Sequence, residues 1–355
     1  MENKRIYDIN GIDGAKSRNL LLFIILMVLM ILLFGIDIIT GSVKIPAGEV
    51  FRILAGSDTS QWSVIVLKFR IPKAITAMVA GMALSVSGLQ MQTIFRNPMA
   101  GPYVLGVSSG ASLGVALVIL GFAFLFPSAV TKIPGDWLVI ASACVGAGLI
   151  MIFVTYLAVR VRDILTVLIL GIMIAGGISA IVTILQYFTS ESLLRAYVIW
   201  TMGSLGNLTI SQLWAMVLTV LAGITISLFT IKAMNVLLLG ENYARSTGVN
   251  VKVARVAIFI STSLLAGGIT AFCGPIGFIG IAVPHIARML FRTSDNKVLL
   301  PASAITGAAV MLLSDIISQM PGSDKVLPVN AVTSLLGIPV VIWVILKGRM
   351  IKTGA

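Results

Sequence analysis

At 355 residues, 58% hydrophobic and only 11% charged, with a mean hydropathy of +1.07, the chain cannot be a soluble globular domain, because such domains run at roughly a quarter charged. It reads as an all-α polytopic membrane protein. The net charge of +12, from 25 Lys+Arg against 13 Asp+Glu, sits between apolar runs, so it marks topology and contact with anionic membrane lipid, with no nucleic-acid partner implied.

Residues 1–19 are polar, with Lys4, Arg5, Lys16 and Arg18, and read as a disordered or interfacial cytoplasmic tail. The first apolar run, Leu20 to about Ile39, has the roughly 20 residues that cross a bilayer and lacks a cleavage pattern, so a retained helix is expected. Residues 41–73 form a long polar loop ending in KFRIPK, with Pro72 suited to the first turn of a helix. The second span is expected at 74–95 and the third at 103–126. In the third, Gly106, Gly110 and Gly114 recur every four residues, which predicts one glycine face for close backbone approach. Spans at 137–159, 164–189 and 208–231 follow, with a short amphipathic helix in SLLRAYVIWTMGSLGN between the last two.

Residues 232–255, KAMNVLLLGENYARSTGVNVKVAR, are a charged island between uncharged segments. Glu241 to Thr247 reads as one or two helical turns, stopped by Gly248 and Asn250 in a left-handed cap. Residues 256–290 are too long for one helix, and GPIGFIG at 274–280 should break them into a span and a second helix carrying VPHIARML. Spans at 298–317 and 328–346 complete ten, followed by a basic tail over 347–355.

With the N-terminus inside, 17 of the 25 basic residues face the cytoplasm, as the positive-inside rule asks, and the island is cytoplasmic. Lys44, Arg52, Lys68, Arg70 and Lys73 break the rule together in the loop 41–73. That outer basic patch suits either an acidic external partner or lipid headgroups.

Catalytic and metal-binding patterns do not emerge. GRMIKTG near the C-terminus lacks the spacing of a phosphate-binding loop. Cys144 and Cys273 lie inside apolar spans, so no disulfide framework is implied, and His285 stands alone as a prospective metal ligand. Asp37 and Asp315 are the ionisable residues within spans, each near a helix end, where a cap or helix contact is the ordinary role. The chain therefore reads as a conduit without its own energy source, no enzyme and no bound cofactor. A secondary transporter driven by an ion gradient is the alternative, and it would need more buried acids than these.

Several segments, in order, resemble the FecCD-like permease subunits of type II ABC importers for iron-siderophores, haem and cobalamin. They are FRIPKAITAMVAGMALSVSGLQMQTIFRNPMAGPYVLGVSSGASLG at 69–114, LLLGENYARSTGV at 237–249, GPIGFIGIAVPHIARML at 274–290 and LPVNAVTSLLGIPVVIWVIL at 327–346. The resemblance implies a homodimer of ten-helix permeases in the bacterial inner membrane, both termini inside. Two ABC ATPase subunits, which would hold the ATP, are then expected to grip the loop containing Leu239, Gly240, Glu241, Tyr243, Ala244, Arg245 and Gly248. A substrate-binding protein would dock outside on Arg70 and Lys73, the latter keeping charge but not the bidentate geometry of arginine. Gln319, with Lys325 nearby, stands about where the family has a further basic residue. The translocation path implied by the cobalamin relatives falls on the fifth and tenth spans, at Gly176, Gly177, Ser179, Thr333 and Ser334. Which chelate is carried, and whether the two permease copies are identical, stays open.

Overall fold

The computed structural model describes residues 9–41, 43–56, 62–121, 135–161, 164–320 and 326–353. Among them the chain is helical throughout: α1 (Ile9–Ile39), α2 (Ala47–Leu54), α3 (Ser63–Ile94), α4 (Val107–Gly121), α5 (Asp136–Arg160), α6 (Ile164–Tyr187), α7 (Glu191–Thr201), α8 (Ile210–Leu238), α9 (Glu241–Ser246), α10 (Val251–Cys273), α11 (Ile279–Phe291), α12 (Asn296–Ser318) and α13 (Val329–Thr353). Seven of these are long and apolar enough to span, and the shorter apolar α4, α11 and the Val329–Val344 part of α13 bring the total to the expected ten. The first residues of the N-terminal tail, Arg162, Lys325 and the end of the third expected span lie outside the described residues.

α3 is the centre of the bundle. In its most apolar window 83% of residues are buried, against 17% for α1 at the periphery. Its companions α8, α11 and α12 approach closely because α3 is rich in Ala, Ser and Gly. A methyl group at Gly88 would overlap the Gly280 carbonyl of α11, and one at Gly81 would overlap the Gly307 carbonyl of α12. Lipid tails are as apolar as leucine, so helix association in a bilayer rests on this close van der Waals fit and not on water exclusion. The same device joins α4 to α5, where Gly110 and Gly114 lie against Gly146 and Ser142. Gly106, expected on that helix face, stands outside the helix at φ +76°, where it turns the chain into α4.

The stretch 41–73 departs from the expected loop. α2 packs Val50 and Ile53 inward, and the second span starts at Ser63, not at 74. A π-turn over Val66–Arg70 precedes Pro72. The π-turn alters the hydrogen-bond register ahead of the proline, which has no N–H to give, so the helix passes through without a break. α1 likewise begins at Ile9, well inside the polar tail, since extending a nucleated helix adds a hydrogen bond for each residue fixed.

GPIGFIG breaks the backbone as anticipated, between α10 and α11. Gly274 (φ +74°) and Phe278 (φ +66°) make the turn. The freed polar groups are served from neighbouring segments: Ser204 N donates to Cys273 O (2.8 Å), Gly277 N donates to Asn330 Oδ1 (2.9 Å), and Tyr103 Oη donates to Ile276 O. Irregular backbone at this depth persists only where such partners exist.

Candidate functional site

Two ends of the bundle and one flank carry the functional candidates. At the first end the last turns of α3, α5, α8 and α11 meet α9 and the starts of α10 and α12. α9 is a six-residue helix set off by two glycines, Gly240 (φ +114°) before it and Gly248 (φ +84°) after it. Asn250 belongs to the next helix: its side chain caps α10 by accepting from Val253 N (3.2 Å), which corrects its expected role as a stop for α9. Ala244 is fully buried and anchors α9, while Leu239 (67% exposed), Tyr243 (50%) and the Arg245 side chain project outward.

An arginine fastens this helix to the bundle. Arg255 of α10 pairs with Glu241 and donates to Ala158 O (3.1 Å) in the last turn of α5, so a single guanidinium joins α5, α9 and α10. Arg245 adds a longer pair to Glu241 at 3.9 Å, and at this exposed spacing it contributes little. Losing one partner of a mostly buried pair strands the other. Arg255→Gln is therefore expected to loosen α9. Amide exchange at Ala244 and Thr247–Val249 should run at least about tenfold faster, the equivalent of about 1.4 kcal/mol, with the membrane helices unaffected. Unchanged exchange there would show that α9 is held by packing alone.

At the opposite end Arg70 and Lys73 lie on successive turns of α3. Arg70 is buried and donates to the carbonyls of Ile38, Ile39 and Val43, tying off the end of α1. A guanidinium has five N–H groups; the remaining two have no protein acceptor among the described residues. Lys73 Nζ sits 3.1 Å from Asp315 Oδ1 of α12. Gln319 does not supply the family's further charge: its Nε2 bridges Asp37 Oδ1 (2.8 Å) and Asp315 Oδ2 (3.1 Å). A recess of about 160 Å³ between Phe69, Arg70, Lys73, Gly206, Gln319 and Val326 opens beside this cluster. Lys44, Lys68 and the Arg52 side chain are exposed. The Lys73–Asp315–Gln319–Asp37 chain was not foreseen. Its signal was the pair of isolated acids in spans, but nothing in their spacing brings α1 and α12 together.

On the flank, Gly176, Gly177 and Ser179 share the exposed side of α6. Ser179 continues into Thr183 and Gln186, which face Ser108, Ser109 and Ser112 of α4 across a recess of about 320 Å³. Among the described residues none that lines it is charged. Of the two candidates on α13, Thr333 is fully buried and Ser334 half-buried; both hydroxyls donate to Asn330 O, at 3.1 Å and 2.6 Å. His285 is buried, with Nε2 2.9 Å from Pro98 O, and among the described residues no His/Cys/Asp/Glu group could hold a metal ion.

A ten-span helical bundle with a rigidly mounted polar helix at one end and a basic recess at the other has the form of an ABC importer permease. The chain matches the FecCD transport family over residues 26–347 and belongs to it. The vitamin B12 import system permease protein BtuC of Klebsiella pneumoniae is 35% identical over 341 residues, covering 95% of this chain and 96% of that protein. The hemin transport system permease protein HmuU of Yersinia pestis is 33% identical over 349 residues, covering 96% and 100%. A solved chain described as an inward-facing conformation of a metal-chelate type ABC transporter superposes with a TM-score of 0.79 at 27% identity, covering 93% of this chain and 99% of that one.

Proposed function

We propose that this chain is the membrane subunit of a binding-protein-dependent importer of an iron chelate (ferric siderophore or haem) or of cobalamin. Two copies would line one path in the bacterial inner membrane, with both termini inside. Two ATPase subunits would grip α9 through Leu239, Tyr243 and Arg245, and an external binding protein would place carboxylates on Arg70 and Lys73. The observation that carries the reading is α9, a short helix that shows its side chains to the outside while an arginine fixes its base to two spans. Such a mounting passes a push from a soluble partner to the bundle without losing it in a flexible loop.

What the flank recess offers supports the cargo class. Hydroxyls and an amide, without carboxylate or imidazole, suit a cargo whose metal stays inside its own chelator; a bare ferric ion would want charged oxygen ligands. The similarity to B12 and hemin permeases supports the same class. Gly176, Gly177 and Ser179, with Ser334 on α13, are the proposed lining.

The buried acids Asp37 and Asp315 are the observation that favours an ion-coupled transporter instead. Reconstitution separates the two. In proteoliposomes holding the permease, its ATPase and the loaded binding protein, uptake of a labelled ferric siderophore, haem or cobalamin is expected only with ATP inside the partner compartment. Uptake driven by a proton or sodium gradient with ATP absent would overturn the importer reading.

A further inference from the structure

Lys73 stands between two places a carboxylate can occupy. Its stem runs along Gly206, whose added Cβ would lie 3.5 Å from Lys73 Cδ, and its side chain is 22% exposed toward the recess. From the inner side its ammonium is held by Asp315, which is only 1% exposed. Asp315 in turn accepts from Gln319 Nε2 (3.1 Å) and from Ser318 Oγ (3.3 Å). Gln319 reaches on to Asp37, which forms no ion pair among the described residues. Two buried carboxyl groups thus share one amide, and one of them has an ammonium.

We propose that Asp315 is a built-in competitor for the docking site: it occupies Lys73 until a carboxylate of the binding protein enters the recess, and the strain on the Lys73–Asp315 pair is how docking is felt inside the bundle. The inference rests on the docking reading above and goes one step past it. An acid entering the recess meets Lys73 and Arg70, which both line it. Any share of the ammonium it takes is withdrawn from a carboxylate that is only 1% exposed and lies beside a second buried carboxyl group. That cost sets an upper bound on docking strength. It is also directional, because the weakened pair is a polar link between α3 and α12 beside the recess, and the bridging Gln319 carries the change to α1.

The occupant is an acidic side chain of a soluble protein, as the docking reading above requires and as two cations lining one recess suit. The recess, about 160 Å³, sets Phe69, Val326 and Gly206 around the two cations, so apolar walls frame the place where a carboxylate would sit. The segment 41–73 carries five basic residues against Glu49 and Asp58, which gives the approach the matching sign.

The test uses the full permease–ATPase complex in nanodiscs and measures dissociation of the loaded binding protein at low salt. Asp315→Asn keeps the shape and can keep the Gln319 and Ser318 contacts, but no longer competes for the ammonium. It is expected to dock roughly tenfold tighter, the lower edge of what one close charge pair contributes, mostly through slower release. Asp315→Leu removes the competitor with an apolar side chain of the same branching and should shift in the same direction if the polar variant folds poorly. Lys73→Gln should weaken docking, and adding Asp315→Asn to it should then change nothing further, since the effect of one runs through the other. If Lys73→Gln weakens docking while both Asp315 variants leave it unchanged, the competitor role is wrong and the docking reading stands. If Lys73→Gln leaves docking unchanged as well, the recess is not the docking site.

Discussion

Ala244→Pro is expected to abolish ATP-driven uptake while the ATPase subunits continue to hydrolyse nucleotide. The Ala244 amide donates to Gly240 O (2.9 Å) in the first turn of α9, and its methyl group is fully buried. Proline removes that N–H and sets its ring against the preceding turn, a cost of about 3 kcal/mol or more in a helix interior. A helix of six residues has no reserve to absorb this, because short helices stand only by their tertiary contacts. Leu239 and Tyr243 would then lose their fixed relation to the Arg255 anchor, and a stroke from the ATPase would bend the junction instead of moving α5 and α10. The check is paired: uptake and ATPase rate on the same proteoliposomes. Since α9 lies at the end of the bundle, the variant should still purify and melt near the parent. Wild-type uptake in a variant shown to have lost α9 would remove this helix from the mechanism.

Gly88→Ala should be the most damaging added methyl group among the described glycines. Ordinary overpacking costs 1–3 kcal/mol when neighbouring side chains can yield. Here the obstruction is the backbone of Gly280 itself, so the cost should exceed roughly 3 kcal/mol and is met only by prising α3 from α11. Folded yield and melting temperature in detergent should fall steeply. Gly148→Ala on α5, where nothing lies within 4 Å of the new methyl group, is the control and should match or slightly exceed the parent, as alanine is the better helix former. Equal melting of the two variants would mean that α3 and α11 are less tightly apposed than described.

Most of this architecture can be read from residue order alone, because a bilayer imposes a length and an apolar composition that soluble proteins do not need. The ten spans, the break at GPIGFIG and the capped helix near Tyr243 all follow from local chemistry. The misreadings share a cause. Ser63–Arg70 reads as loop because its charges and Pro72 suggest an interface, yet a π-turn lets the helix run on, a register change with no local signature. Asn250 is as good an N-cap as a C-terminal stop, and only the following turn of α10 decides between them. The Lys73–Asp315–Gln319–Asp37 cluster joins residues up to 282 positions apart, and pairing across three helices is a property of packing that no window along the chain contains.

The glycine-to-carbonyl contacts that bind α3 to α11 and α12 also limit how this protein can move. Interlocked main chains leave no slack for sliding or twisting between these helices, so any opening must turn them as one piece. On α6 such a backbone contact occurs at Gly171, against Val104, while Gly176 and Gly177 have nothing within 4 Å. In the importer proposed above, alternating access would then hang on a stiff frame of α3, α11 and α12, with the freer half of α6 beyond Gly171 as the part left able to swing.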